Sequence, residues 1–173
     1  MKTGAQHNTL YIILIVIIQT IITSFIYTGP YLTVTLLPFV ILMMPVNWTT
    51  AKTLIAATLS ALPVDLFAEG VIGLNTAAIL PAVLAREGVI RAFTANDQRD
   101  REGIISAEWL GWLRFTVLAS AVLIVFLVLY IIFECAGTRP TSFILLKTAL
   151  SYAANLAIYA LLQQAVLKTP KNR

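Results

Sequence analysis

Hydrophobic residues fill this chain in six long runs, and short polar segments separate one run from the next. A helix crosses a bilayer with about 20 mainly apolar residues, within a range of roughly 17 to 25. The pattern therefore predicts an all-α integral membrane protein, a single six-helix transmembrane domain over residues 1–173. The predicted spans cover residues 10–27, 31–46, 50–67, 73–86, 115–133 and 142–167.

Prolines divide these spans into two groups. Pro38 and Pro45 lie in the second span, Pro63 lies near the end of the third and Pro81 lies inside the fourth, whereas the fifth and sixth contain none. A membrane helix tolerates proline where neighbouring groups satisfy the freed carbonyls. Short, interrupted spans are also typical of a polar site at membrane depth. We therefore expect such a site between the third and fourth spans.

Basic residues predict the orientation of the chain in its membrane. Six spans place both termini on one side, together with residues 87–114, which form the longest polar stretch and are predicted to be a loop. Of the 12 Lys and Arg residues, only Arg139 and Lys147 fall on the other side, where Lys147 is expected to extend out of the last span toward the interface. Basic residues concentrate on the cytoplasmic side of a membrane protein. The chain is therefore predicted to have both termini in the cytoplasm.

Composition narrows the possible functions. Charged residues make up 12% of the chain, about half of what a soluble domain carries, and the net charge of +4 fits membrane orientation better than nucleic-acid binding. Cys135 and His7 are the only cysteine and the only histidine, so an internal disulfide and a Ser–His pair within the membrane are both excluded. Zinc, phosphate-loop and nucleophile motifs are also absent from the sequence. We therefore predict no enzymatic activity and no catalytic, metal or cofactor site.

The turn between the third and fourth spans holds the strongest candidate residues, Asp65, Glu69, Gly70, Gly73 and Asn75. An acid within a span is costly in hydrocarbon and often functional, but Asp65 also lies near enough to the end of its span to cap the next helix. Asn75 is placed to hydrogen-bond either Asp65 or a freed backbone carbonyl, and Glu69 is expected to be solvated. The two glycines permit the positive φ angles that a tight turn needs.

The sixth span carries a stripe of small residues, Ala149, Ala153 and Ala157, at intervals of four. Small residues at this spacing let two membrane helices approach closely. The stripe therefore predicts a helix interface, either with the chain's own bundle or with a partner helix. Gln19, Asn155 and Gln163 are expected to form hydrogen bonds between helices.

These residues carry a resemblance to a known family. The pattern Asp65-Leu-Phe followed by Gly73-Leu-Asn75, a polar loop after the fourth span and six spans in 173 residues resemble MreD, a rod shape-determining membrane protein. The resemblance covers essentially the whole chain. MreD proteins often have a glycine a few positions before the acid, where this chain has Ala61 or Pro63.

The resemblance implies a non-enzymatic scaffold of the cell-elongation complex in the bacterial inner membrane. Such a scaffold binds the bitopic membrane protein MreC and is linked through it to MreB, to RodA and to RodA's transpeptidase partner. The family is also similar in fold to the substrate-binding subunits of energy-coupling-factor transporters, which implies an alternative function as the binding subunit of a vitamin or small-solute transporter. Those subunits usually carry an Ala-x-x-x-Ala motif in their first span, where residues 10–27 contain no alanine.

Overall fold

The computed structural model of the chain describes the backbone of residues 3–26, 29–93 and 111–166, and the side chains of 9–26, 29–93 and 111–164. The centre of the predicted 87–114 loop lies outside these residues, as do the His7 side chain and the basic residues of both tails. The described part is helical and contains no strand. Its helices are α1 Thr3–Phe25, α2 Leu37–Leu42, α3 Thr50–Val64, a π-helical turn Asp65–Glu69, α4 Leu74–Phe93, α5 Trp112–Cys135 and α6 Thr141–Val166.

Three helices are long and apolar enough to cross a membrane. They are Thr50–Glu69, in which α3 continues into the π-helical turn, Trp112–Cys135 and Thr141–Gln164. A shorter apolar helix covers Thr9–Phe25. These helices indicate a membrane protein, and their positions match the predicted first, third, fifth and sixth spans.

The predicted second span is not one helix. Residues 32–36 are non-helical, and α2 has only six residues, all of them buried. Pro38 lies in the first turn of α2, where a residue without an N–H group leaves no hydrogen bond unmade. The helix therefore begins beside this proline. The non-helical residues 32–36 before it, called the extended segment below, are held by side chains of other helices.

Helix α4 extends about two turns beyond residue 86, the predicted end of the fourth span. Helix α4 continues through Arg86 and Glu87 to Phe93, and α5 already begins at Trp112. Arg86 is fully buried. Its guanidinium group donates hydrogen bonds to Glu87 Oε1 at 2.9 Å and to the Met44 carbonyl at 2.5 Å. Because the charge is paired and hydrogen-bonded inside the bundle, the helix does not have to end there.

The helices pack around the short buried helix α2. Helix α4 lies against α3 on one side and α5 on the other, α5 also contacts α6, and α1 packs on α3. The core is apolar and includes Phe39, Ile79 and Phe126, none of which has exposed surface. At one end of this bundle α1 and α5 end while α4 and α6 begin, and the polar residues considered next collect there.

Candidate functional site

Asp65 organises the turn between α3 and α4. Its carboxylate has no exposed surface and accepts five hydrogen bonds. Three come from the backbone N–H groups of Gly73, Asn75 and Thr76 at 2.8–3.1 Å. The other two come from Asn75 Nδ2 at 3.0 Å and Thr76 Oγ1 at 2.8 Å. Asp65 thus caps α4 from the preceding helix, and the predicted hydrogen bond with Asn75 is confirmed.

The capping also explains how an acid is accommodated among apolar helices. The first N–H groups of a helix have no partner within it and carry a partial positive charge. Asp65 supplies both the acceptors and the opposite charge. Its local chemistry is therefore satisfied by its own chain.

Gly70 and Gly73 adopt the positive φ angles expected of them, 68° and 97°. Gly70 ends the π-helical turn in the left-handed conformation, and Gly73 directly precedes α4. A Cβ added at either position would meet no atom within 4 Å. The requirement for glycine is therefore one of backbone conformation and not of space.

This distinction gives a prediction. Gly70→Ala is expected to lower the free energy of unfolding by about 1–2 kcal/mol, because the left-handed conformation crowds a Cβ against the carbonyl that follows. Gly88→Ala is the matched control: Gly88 lies inside α4, is exposed and has free space for a Cβ, but has no positive φ. Alanine there should leave stability unchanged or raise it by up to about 1 kcal/mol. Thermal unfolding in detergent measures both, and equal behaviour of the two variants would contradict the conformational explanation.

The extended segment before α2 is held by polar side chains from α6. Thr33 N–H donates to Ser151 Oγ and Thr35 N–H to Asn155 Oδ1, each at 2.8 Å. Asn155 Nδ2 returns a hydrogen bond to the Thr33 carbonyl at 2.7 Å, and the Tyr159 hydroxyl donates to the Thr35 carbonyl at 2.8 Å. Non-helical backbone at membrane depth requires such partners within the protein.

Helix α1 holds the other side of the same segment. Gln19 is buried, accepts a hydrogen bond from Leu36 N–H at 2.7 Å and donates to the Val34 carbonyl at 3.4 Å. Gln19 and Asn155 were expected to link helices directly. They instead bind one piece of extended backbone that lies between α1 and α6.

The alanine stripe of α6 lies on the opposite side of that helix. Ala149, Ala153 and Ala157 are all exposed, whereas the buried positions of α6 are Lys147, Ser151, Asn155, Tyr159 and Gln163. The buried residues also recur every four positions, so the polar stripe faces the bundle. Of the two interfaces predicted for the alanines, contact with the chain's own described helices is ruled out.

A polar cavity of about 350 Å³ lies at the end of the bundle where α4 and α6 begin. Its walls come from the end of α1, the extended segment, the turn before α4, the end of α5 and the beginning of α6. The polar side chains among its lining residues are Gln19, Thr23, Ser24, Thr33, Thr35, Glu69, Asn75, Tyr130, Glu134 and Lys147.

Two of the charged residues in this cavity differ from expectation. Lys147, predicted to extend outward, is 5% exposed and donates to both carboxylate oxygens of Glu134, at 2.8 and 2.6 Å. Glu69, predicted to be solvated, is half-buried in the π-helical turn and accepts a hydrogen bond from the Tyr130 hydroxyl at 2.8 Å. Packing between helix ends therefore draws both charges inward.

The structure divides the predicted site residues into three places. Asp65, Gly70 and Gly73 form the turn, Asn75 joins that turn to the cavity, and the alanine stripe faces away from both. The ion pair between Glu134 and Lys147 was missed. A signal for it existed, since two opposite charges flank the short 136–140 connection at the edges of adjacent spans.

Among the described residues, no group of three or more His, Cys, Asp or Glu side chains is placed to hold a metal ion. Comparisons with protein-family models, curated proteins and solved structures found no match for this chain. Its function must therefore be inferred from the turn, the outward face of α6 and the cavity.

Proposed function

We propose that this chain is a non-enzymatic scaffold of the bacterial cell-elongation complex, similar to MreD, which binds a bitopic partner of the MreC type within the membrane. Six membrane crossings with both termini in the cytoplasm, in a bundle similar to energy-coupling-factor binding subunits, belong to this proposal. MreC would link the chain indirectly to MreB, RodA and the transpeptidase partner of RodA. The family assignment depends on the Asp65 to Asn75 pattern.

The outward position of the alanine stripe is the observation that carries the proposal. Lipid chains are as apolar as leucine, so helices associate in a bilayer through close packing and not through the hydrophobic effect. Ala149, Ala153 and Ala157 leave a shallow groove along an otherwise apolar face that includes Leu150 and Leu161. A single transmembrane helix of a partner fits such a groove.

The inward polar stripe supports the same conclusion. It commits the hydrogen-bonding groups of Ser151, Asn155 and Tyr159 to the chain's own backbone. Partner binding at α6 must therefore depend on shape. Each contact contributes on the order of 1 kcal/mol or less, so binding requires an extended surface.

Bulky residues in the groove provide the test. We expect the double variant Ala153→Leu/Ala157→Leu to reduce co-purification of MreC in mild detergent by about tenfold or more, because overpacking a close helix contact costs about 1–3 kcal/mol. The control is Ala77→Leu, at an exposed alanine of α4. If the double variant retains MreC as well as the control does, the partner does not bind this face.

The cavity favours a second candidate function, the binding subunit of a vitamin or small-solute transporter. Ligand sites are concave, have volumes of about 300–1,000 Å³ and contain a few convergent polar groups. A cavity of 350 Å³ with Asn75, Tyr130 and Glu69 in its wall fits this description at the small end. Thermal-shift screening against vitamins tests it, and a large stabilisation by one of them would favour transport over the scaffold.

A further inference from the structure

The charges in the cavity wall do not balance. The cavity is lined by two carboxylates, Glu69 and Glu134, and by one cation, Lys147. Lys147 donates to both oxygens of Glu134. Glu69 has only the neutral Tyr130 hydroxyl as a partner among the described residues, which occupies its Oε1 atom.

The other carboxylate nearby does not change this balance. Asp65 is satisfied by the first turn of α4 and does not line the cavity. Arg86 is paired with Glu87 and contacts the Met44 carbonyl, so it does not serve Glu69. Glu69 is thus a half-buried carboxylate that lines the cavity and has no cationic partner in the described part of the chain.

Two further polar atoms of the wall have no hydrogen-bond partner among the described residues. Asn75 is 2% exposed, and its Nδ2 donates a hydrogen bond to Asp65. Its Oδ1 accepts no hydrogen bond from the described residues. Thr35 is also 2% exposed, and its Oγ1 has no partner there. Gln19 is fully engaged by backbone groups of the extended segment and by Thr23. The unpaired Glu69 carboxylate and the free Asn75 amide oxygen favour a ligand that donates hydrogen bonds and carries positive charge.

We propose that the cavity binds a small primary ammonium or guanidinium group, with Glu69 as its counter-ion and Asn75 Oδ1 as an additional acceptor. A charge-assisted hydrogen bond to Glu69 Oε2 would leave the Tyr130 contact in place. The group belongs either to a soluble amine or to the headgroup of phosphatidylethanolamine. The inference uses the same cavity as the second candidate function, but it does not require transport and is independent of MreC binding.

Two variants separate the charge of Glu69 from its structural role. Glu69→Gln removes the charge and keeps an oxygen that accepts from Tyr130. Tyr130→Phe removes that same hydrogen bond and keeps the charge. If only the Tyr130 hydrogen bond matters, amine binding falls in Tyr130→Phe and not in Glu69→Gln, whereas a counter-ion role affects Glu69→Gln alone.

Binding of a soluble amine is measured by calorimetry and thermal shift on the full chain in phosphatidylcholine nanodiscs. Agmatine and ethanolamine are the probes, and 1,2-propanediol is the neutral control. Wild type and Tyr130→Phe should bind an amine, and Glu69→Gln should bind it more than about tenfold more weakly, as expected when a charge-assisted hydrogen bond loses its charge. Binding of the lipid headgroup is tested by thermal shift in nanodiscs that contain phosphatidylethanolamine. Stabilisation by that lipid in wild type but not in Glu69→Gln, with no further effect of soluble amines, assigns the headgroup.

Three results would overturn the proposal. They are equal amine binding by Glu69→Gln and wild type, equal binding of the neutral diol, and absence of both amine and headgroup effects. Amine binding without uptake into proteoliposomes would support the site and count against the transporter function. Retention of MreC by Glu69→Gln leaves the scaffold function standing whichever way the amine experiment falls.

Discussion

Replacing Asp65 with alanine is expected to lower the free energy of unfolding by about 3–5 kcal/mol, one of the largest effects of any single substitution in this chain. The change removes the acceptor for three backbone N–H groups at the start of α4, those of Gly73, Asn75 and Thr76. A buried donor without a partner costs roughly 1–3 kcal/mol, and the carboxylate also complements the positive end of α4. Thermal or denaturant unfolding in detergent measures the loss.

Two milder substitutions are expected to cause smaller losses of stability. Thr76→Val removes one hydroxyl donor and leaves the carboxylate intact, so a loss of about 1 kcal/mol is expected. Asp65→Asn keeps one acceptor oxygen but turns an NH₂ group toward N–H donors, so its loss should fall between the other two. A stability of Asp65→Ala close to that of Thr76→Val would show that the capping interaction contributes little.

The same variants test whether Asp65 contacts a partner. Asp65 has no exposed surface, so a partner helix does not reach it. We expect Asp65→Asn to lower the yield of folded protein while the ratio of co-purified MreC to folded chain stays constant. A lower ratio would place the acid in the interface.

The turn from Asp65 to Asn75 was predictable because its determinants are local. An acid at the end of a span, two glycines and an amide follow one another within eleven residues, and the geometry connects the same residues. The sequence left two roles open for Asp65. Its hydrogen bonds support the cap, since each of its oxygens is already occupied by donors from α4 or from Gly73.

The extended segment could not be predicted in the same way. Residues 31–46 are as apolar as a membrane helix, and hydrophobicity does not distinguish the two conformations there. What fixes the extended backbone is distant in sequence, since Asn155 lies 120 residues from Thr35. Only the regular spacing of Ser151, Asn155 and Tyr159 along one face of α6 hints at a shared polar partner.

Charged residues at the ends of spans were misjudged for a related reason. A sequence pattern assigns a charge near a span end to the interface, because burial without a partner is costly. Arg86 and Lys147 instead find partners across the bundle, in the Met44 carbonyl and in Glu134. The Met44 carbonyl lies 42 residues from Arg86 and is not visible in a local window of sequence, whereas the pairing of Glu134 with Lys147 across a short connection could have been considered.

The extended segment contacts both α1 and α6 and also lines the cavity. Its backbone is tied to α6 through Asn155 and to α1 through Gln19, and its residues 32–35 form part of the cavity wall. Releasing these ties would open the space between α1 and α6. Stability and ligand binding should therefore change together when a tie is lost.

Asn155→Leu is expected to lower the free energy of unfolding by roughly 2–4 kcal/mol. It leaves the Thr35 N–H without an acceptor and the Thr33 carbonyl without a donor, and an orphaned buried group costs about 1–3 kcal/mol. Leucine has the same number of side-chain heavy atoms as asparagine, so the loss reflects hydrogen bonding more than a cavity. Gln164→Leu is the matched control, since Gln164 lies on the exposed face of the same helix and should change stability by less than about 0.5 kcal/mol.

A double variant shows whether the two ties act on one segment. Gln19→Leu alone should destabilise through the loss of its hydrogen bonds with Leu36 and Val34. If the segment moves as a unit, the first substitution already releases its backbone groups. The second substitution then costs less in the double variant than it does in the wild-type background. The sum of the two single losses should exceed the loss in the double variant by about 0.5 kcal/mol or more. Fully additive losses would instead mean that α1 and α6 hold their parts of the segment independently.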